Sequence, residues 1–148
     1  MGHFKLATAS LMALSLIIPS VASAESWLCI ADMSTGFSFN SATRQWSIAK
    51  FNIADSRYLI ASQEIKDYPY KVTKFGSNSL VAMCKDGLTV GTFLSCNFLG
   101  SRFSFNSKTM RYMLSYEIGY INPTPGVNDM KEGDDTPFIE IGRCSPLQ

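Results

Sequence analysis

The chain has 148 residues, 13 Lys and Arg against 12 Asp and Glu, and a formal charge of +1. No stretch carries a run of one sign, which excludes the concentrated basic surface that a nucleic-acid partner requires. The length suits one domain with a real core. The single histidine, His3, excludes Ser-His-Asp and Cys-His catalysis and histidine-ligated zinc or copper from the rest of the chain.

Residues 1–24 have the layout of a secretory signal peptide. Lys5 supplies the positive start, Leu6–Ile18 the apolar run, and Ala22-Ser23-Ala24 the small-residue cleavage site. The run falls short of the ~20 residues of a membrane span, and Pro19 interrupts it. The expected mature chain is residues 25–148, one all-β domain without a membrane-spanning segment. With Lys5 gone from the 13 basic residues, 12 Lys and Arg balance 12 Asp and Glu. Its expected location is secreted or periplasmic.

The next elements read as strands. "FSFNSATRQW" (Phe37–Trp46) and "FSFNSKTMRY" (Phe103–Tyr112) share five opening residues, a Thr two places later and an aromatic close. In each copy the two Phe (Phe37 and Phe39, Phe103 and Phe105) sit at alternate positions and are expected to face the core. Asn40 and Asn106 then start a turn, because an Asn side chain bonds the backbone two residues on. Thr43 and Thr109 belong to these turns. Trp46 and Tyr112 open the return strands, where each is placed to pair with a Phe. This structural reading explains every residue of the motif without a ligand.

Between the copies, "RYLIAS" (Arg57–Ser62), "YKVTKFG" (Tyr70–Gly76) and "SLVAMCK" (Ser79–Lys85) are short strands. Gly76-Ser77-Asn78 makes a hairpin of the last two, and Asp86-Gly87 turns the chain toward "LTVGTFLSC" (Leu88–Cys96). A helical turn fits near Ile53–Ser56. After the second copy, Tyr112 to Tyr120 alternate with period two, as a strand with a tyrosine face, and "TPFIEIG" (Thr136–Gly142) is the last strand. Eight to ten such strands suit a small antiparallel β-barrel, which leaves no open edges, with a β-sandwich as the alternative.

Cys29, Cys84, Cys96 and Cys144 are an even set in an exported chain, so disulfides are expected. None has the C-x-x-C spacing of a zinc site. Each half reads Cys, FSFNS, apolar-Gly, Cys, which suggests two diverged repeats, about 29–84 and 96–144. Three connectivities exist. The repeat favours Cys29–Cys84 with Cys96–Cys144. The alternatives are Cys29–Cys96 with Cys84–Cys144, and Cys84–Cys96 with Cys29–Cys144.

Chemistry-bearing candidates are few. The carboxylates of "NDMKEGDDTP" (Asn128–Pro137) lack the spacing of a calcium loop, and a solvated loop is expected. Glu117 is expected on the solvent side of the tyrosine strand. Tyr68, Tyr70 and Tyr120 flank turns near Pro69 and Pro123 and form a candidate binding surface. G-x-S-x-G, Walker and dinucleotide fingerprints are absent, and neither metal nor cofactor is expected. The function expected is a non-enzymatic binding module for an envelope or extracellular protein or for a small ligand. A structural, envelope-associated protein is the alternative, and a carboxylate-based hydrolase a distant third.

Overall fold

The structure, a computed structural model, describes residues 25–88, 92–121 and 131–147. The signal-peptide segment and residues 128–130 of the acidic loop lie outside the described residues. The chain forms β1 (Ser26–Asn40), β2 (Gln45–Lys50), β3 (Arg57–Ile65), β4 (Tyr68–Lys74), β5 (Leu80–Cys84), β6 (Phe93–Phe98), β7 (Ser101–Asn106), β8 (Arg111–Tyr116), a short helix α1 (Ile118–Ile121) and β9 (Phe138–Pro146). All neighbouring strands are antiparallel. β1, β3, β4, β5, β6, β7, β8 and β9 follow one another round the wall, and β9 pairs back onto β1 to close an eight-stranded barrel.

Alternation decides what fills it. Inward positions carry Trp27 and Cys29 (β1), Tyr58 and Ile60 (β3), Val72 (β4), Ala82 and Cys84 (β5), and Leu94 and Cys96 (β6). Phe103 and Phe105 (β7), Tyr112 and Leu114 (β8), and Cys144 (β9) complete the interior, and together they form one buried cluster. Phe103 stacks on Tyr112 with ring centroids 5.0 Å apart, and Tyr58 meets both rings edge-on. Side chains fill a barrel of this strand number completely.

β1 is longer than the barrel wall. Its first half pairs with β3 on one edge, and its second half pairs with β2 on that same edge. β2 and β3 are thus one return arm, interrupted at 51–56. Backbone bonds from Ala31 to Ser56 (3.0 Å) and from Phe51 to Ser34 (3.1 Å) stitch the break. The Ile53–Ser56 segment is a single hydrogen-bonded turn in this break. Beyond Gly36, where β9 stops pairing, the β1–β2 hairpin projects past the barrel.

The disulfides differ from the favoured pairing. Cys29 bonds Cys144, and Cys84 bonds Cys96. Each pair is directly opposite in register, on β1/β9 and on β5/β6. Closure brings the first and last strands side by side, which strand order in the sequence does not show. Cys29 and Cys84 instead lie three strand spacings apart round the wall, roughly 14 Å, well past the ~7 Å Cα reach of a disulfide. The same holds for Cys96 and Cys144.

The two FSFNS copies do not occupy equivalent places. The second lies in the barrel wall, where Phe103 and Phe105 are fully buried. The first lies on the projecting hairpin, where Phe37 is 51% exposed. Following the antiparallel strands, the 40–44 and 106–110 turns fall at opposite ends of the barrel. A β-bulge between Ala31 and Met33 explains the difference. An extra residue reverses which side chains face inward. Trp27, Cys29 and Ala31 point in, but after the bulge Ser34 is buried while Met33 and Phe37 face out.

Candidate functional site

The projecting hairpin is built by the turn that the motif predicts. Asn40 Oδ1 accepts the backbone N–H groups of Ala42 (3.0 Å) and Thr43 (3.2 Å). Asn106 Oδ1 does the same for Lys108 (2.9 Å) and Thr109 (3.1 Å). The left-handed residue is the one that closes each turn, Arg44 (φ 55°) or Met110 (φ 53°), and not the Asn. Such a residue matches a four-residue turn to the strand twist. The aromatic returns pair as expected, Trp46 opposite Phe39 and Tyr112 opposite Phe105.

The segment after β8 forms the facing wall. The period-two pattern of Tyr112–Tyr120 ends as a strand at Tyr116 and turns into α1. Gly119 accounts for the break. A Cβ there would lie 2.4 Å from the Asp135 carbonyl oxygen, so only glycine lets the 131–135 loop pass this close. The backbone N–H groups of Tyr120 and Ile121 donate to the Glu117 carbonyl, at 3.2 and 3.4 Å. Glu117 therefore sits just past the strand, exposed as expected, and Tyr120 swings toward the hairpin.

The acidic loop clasps the two walls together. The Trp46 indole N–H donates to Glu132 Oε1 at 3.0 Å. Gly133 (φ 90°) lies under the Phe39 ring, where any Cβ would come within 2.5 Å. The Tyr116 hydroxyl donates to Asp135, and the Lys131 backbone N–H donates to Asp134 (2.7 Å). The loop expected to be merely solvated thus spends three of its carboxylates on protein donors. Phe39 and Trp46 pack at 5.3 Å, and Trp46 meets Tyr120 edge-on at 5.5 Å.

Between these walls lies a groove of about 540 Å³, lined by Phe37, Trp46, Glu117, Tyr120, Ile121 and Pro137. A second hollow of about 440 Å³ shares Phe37, Glu117 and Pro137 and continues past Ile48 to Ile139. The lining is apolar except for Glu117 and the hydroxyls of Tyr120, Thr35, Ser115 and Tyr116. Ile48 is 82% exposed, Ile121 72% and Tyr120 61%.

The three tyrosines of the candidate surface separate. Tyr120 lines the groove. Tyr68 and Tyr70 lie at the opposite end, where β4 begins. Tyr70 packs on Trp27 (6.1 Å) and donates its hydroxyl to Glu25 (3.0 Å), and the Tyr68 carbonyl accepts from Gln63 (2.7 Å). They are half-buried end-packing residues and do not converge with Tyr120.

Sequence reasoning missed Glu140, which is buried inside the barrel. The Tyr112 hydroxyl donates to its Oε1 at 2.9 Å, and the Glu140 charge also acts on the Tyr58 hydroxyl. Glu140 shares the strand parity of Cys144, so an inward disulfide on β9 was the signal that could have found it. Burial first, and then the Glu140 charge, raises both tyrosines well above the usual tyrosine value. Partial burial and the Asp135 partner push Tyr116 up to about 12.

A pH dependence follows. In the unfolded chain these tyrosines lose their protons near pH ~10, and in the barrel they keep them. Their raised folded values contribute stability that is complete below about pH 10 and is lost as pH rises above it. The slope is ~1.4 kcal/mol per pH unit for each buried tyrosine. Tyr112→Phe is expected to cut this alkaline slope by about a third to a half in denaturation series at increasing pH. An unchanged slope would place the alkaline sensitivity elsewhere.

No helix among the described residues is long and apolar enough to cross a membrane, and none of their His, Cys, Asp and Glu side chains group as a metal site. Comparison of the chain with protein-family models, curated proteins and solved structures returns no match.

Proposed function

We propose that this chain is an exported, non-enzymatic binding module that docks a protein partner in the groove between the β1–β2 hairpin and α1. The observation that carries this reading is a continuous exposed apolar surface. Met33, Ile141 and Met113 are register partners across β1, β9 and β8, on the outer wall. Ile139, then Phe37 with its partner Ile48, continue that stripe into the groove. Surfaces of this kind, rimmed by polar residues, are the mark of interaction sites, and Trp, Tyr and Phe are enriched at their centres.

Two features favour a protein over a small ligand held inside. The barrel interior is occupied by Phe103, Phe105, Tyr112 and their neighbours. The outer edge of β2 has no strand partner among the described residues, which offers backbone groups to an incoming strand. The two buried disulfides support an oxidising compartment, in keeping with the signal-like residues 1–24.

The test uses the oxidised protein, residues 25–148, as bait in an envelope extract, with mass spectrometry of what it captures. Ile48→Glu, at an exposed position that leaves the core untouched, is the matched control. The captured partner is expected to fall about tenfold with Ile48→Glu, the cost of burying a charge in an apolar contact. Equal capture by both baits would remove the groove from the binding surface.

A further inference from the structure

We propose that the groove reads a cationic side chain, an arginine or lysine of the docked protein flanked by apolar residues, on Trp46, Tyr120 and Glu117. This rests on the docking reading above and specifies what the groove selects.

The geometry has the parts that hold an organic cation. Trp46 and Tyr120 meet at 75°, so they form two walls of a corner. Phe37 supplies a third aromatic surface, and all three rings line the same hollow as Glu117. Cations are drawn to aromatic faces by the ring quadrupole, indole most strongly. A planar guanidinium also stacks on such rings while keeping its N–H groups for a carboxylate.

Charge complementarity selects the occupant. Among the described residues, Glu117 is the only charged one lining the hollow, and it belongs to both adjoining parts of the groove. Among the described residues it forms no ion pair; the one present joins Arg143 to Asp32, on the barrel wall. Glu132 adds negative charge beside the Trp46 indole. Glu117 also lines a neighbouring hollow with Arg102, with which it forms no ion pair, and an apolar side chain alone would cover its carboxylate without giving it a partner, which is unfavourable. An anionic one would be repelled.

The site is also held in shape before anything binds. The indole N–H is tied to Glu132, its ring is backed by Phe39, and Gly133 fits beneath that ring. Tyr120 is carried on a helical turn fixed by Glu117 backbone bonds. Walls already in place reduce the ordering cost of binding.

The experiment follows the Trp46 indole N–H and the Glu117 and Tyr120 amides by NMR. The probes are the blocked peptide Ile-Arg-Ile and its citrulline analogue, which keeps the shape and removes the charge. The arginine peptide is expected to shift these signals saturably, and citrulline or Glu117→Gln to weaken binding about tenfold. Equal affinity for the two peptides, or an arginine peptide that leaves the groove signals unmoved at millimolar concentration, overturns the proposal. Partner capture separates this from the broader reading. Capture lost with Ile48→Glu but kept with Glu117→Gln leaves a docking groove that does not read a cation. Capture kept with both removes the docking reading as well.

Discussion

Phe103→Ala and Phe105→Ala are each expected to lower the unfolding free energy by about 3–5 kcal/mol, while Phe37→Ala changes it by about 1 kcal/mol or less. The three residues stand in copies of one five-residue motif, so the contrast isolates environment from local sequence. Phe103 and Phe105 are fully buried, and Phe103 stacks on Tyr112 at 5.0 Å. Trp27 packs on Phe105 with centroids 5.2 Å apart. Removing either ring leaves a cavity in a close-packed interior, and the lost contacts add to the lost transfer energy. Phe37 keeps half its surface in water, and truncating it opens a groove that is already open. Denaturant unfolding of the three variants gives the comparison directly. A loss at Phe37 as large as at Phe103 would mean that the hairpin packs as a core element.

The disulfides are expected to contribute unequally. Cys29–Cys144 spans 115 residues and Cys84–Cys96 spans 12. By loop-closure entropy, removing the first as a Cys→Ala pair costs about 5 kcal/mol, and removing the second costs about 3 kcal/mol. The first also closes the barrel, since it joins the first strand to the last. Its loss frees the one seam between strands distant in sequence, whereas β5 and β6 remain neighbours along the chain. Urea titrations of the two double variants under oxidising conditions measure the difference. The reverse order would show that the β1–β9 ladder holds the seam without its covalent link.

Much of the fold was legible in short patterns. Short apolar and β-branched runs between turn residues marked most of the strands, and the 76–78 turn made its hairpin where expected. The Asn-started turn formed twice with the same hydrogen bonds, and each aromatic return met its Phe. These are local matters of alternation and turn chemistry, which neighbouring residues settle among themselves. α1 was not legible, because the tyrosine alternation continues through it. Gly119 sits where a Cβ would meet the Asp135 carbonyl oxygen, a close approach made across the loop.

The candidate site was legible only in pieces. Phe37, Trp46 and Tyr120 were singled out separately, the first two as packing and the third as surface, and Glu117 as a solvent-facing acid. Nothing in their spacing brings them together. Tyr68 and Tyr70 look like Tyr120 in sequence, near proline and near a turn, yet β4 starts at the other end of the barrel. Glu140 was passed over because one acid in an apolar strand reads as an outward residue until the parity of its strand is known.

The sequence by itself determined the all-β character, the turn built on Asn40 and Asn106, and a cysteine set suited to disulfides, because each depends on residues a few positions apart. The tertiary structure alone decided the disulfide partners and the face that Phe37 shows to water. Closure set β9 beside β1 and so Cys144 opposite Cys29. One extra residue at the Ala31–Met33 bulge reversed the alternation of the longest strand, which turned a core motif outward and made the wall of a groove.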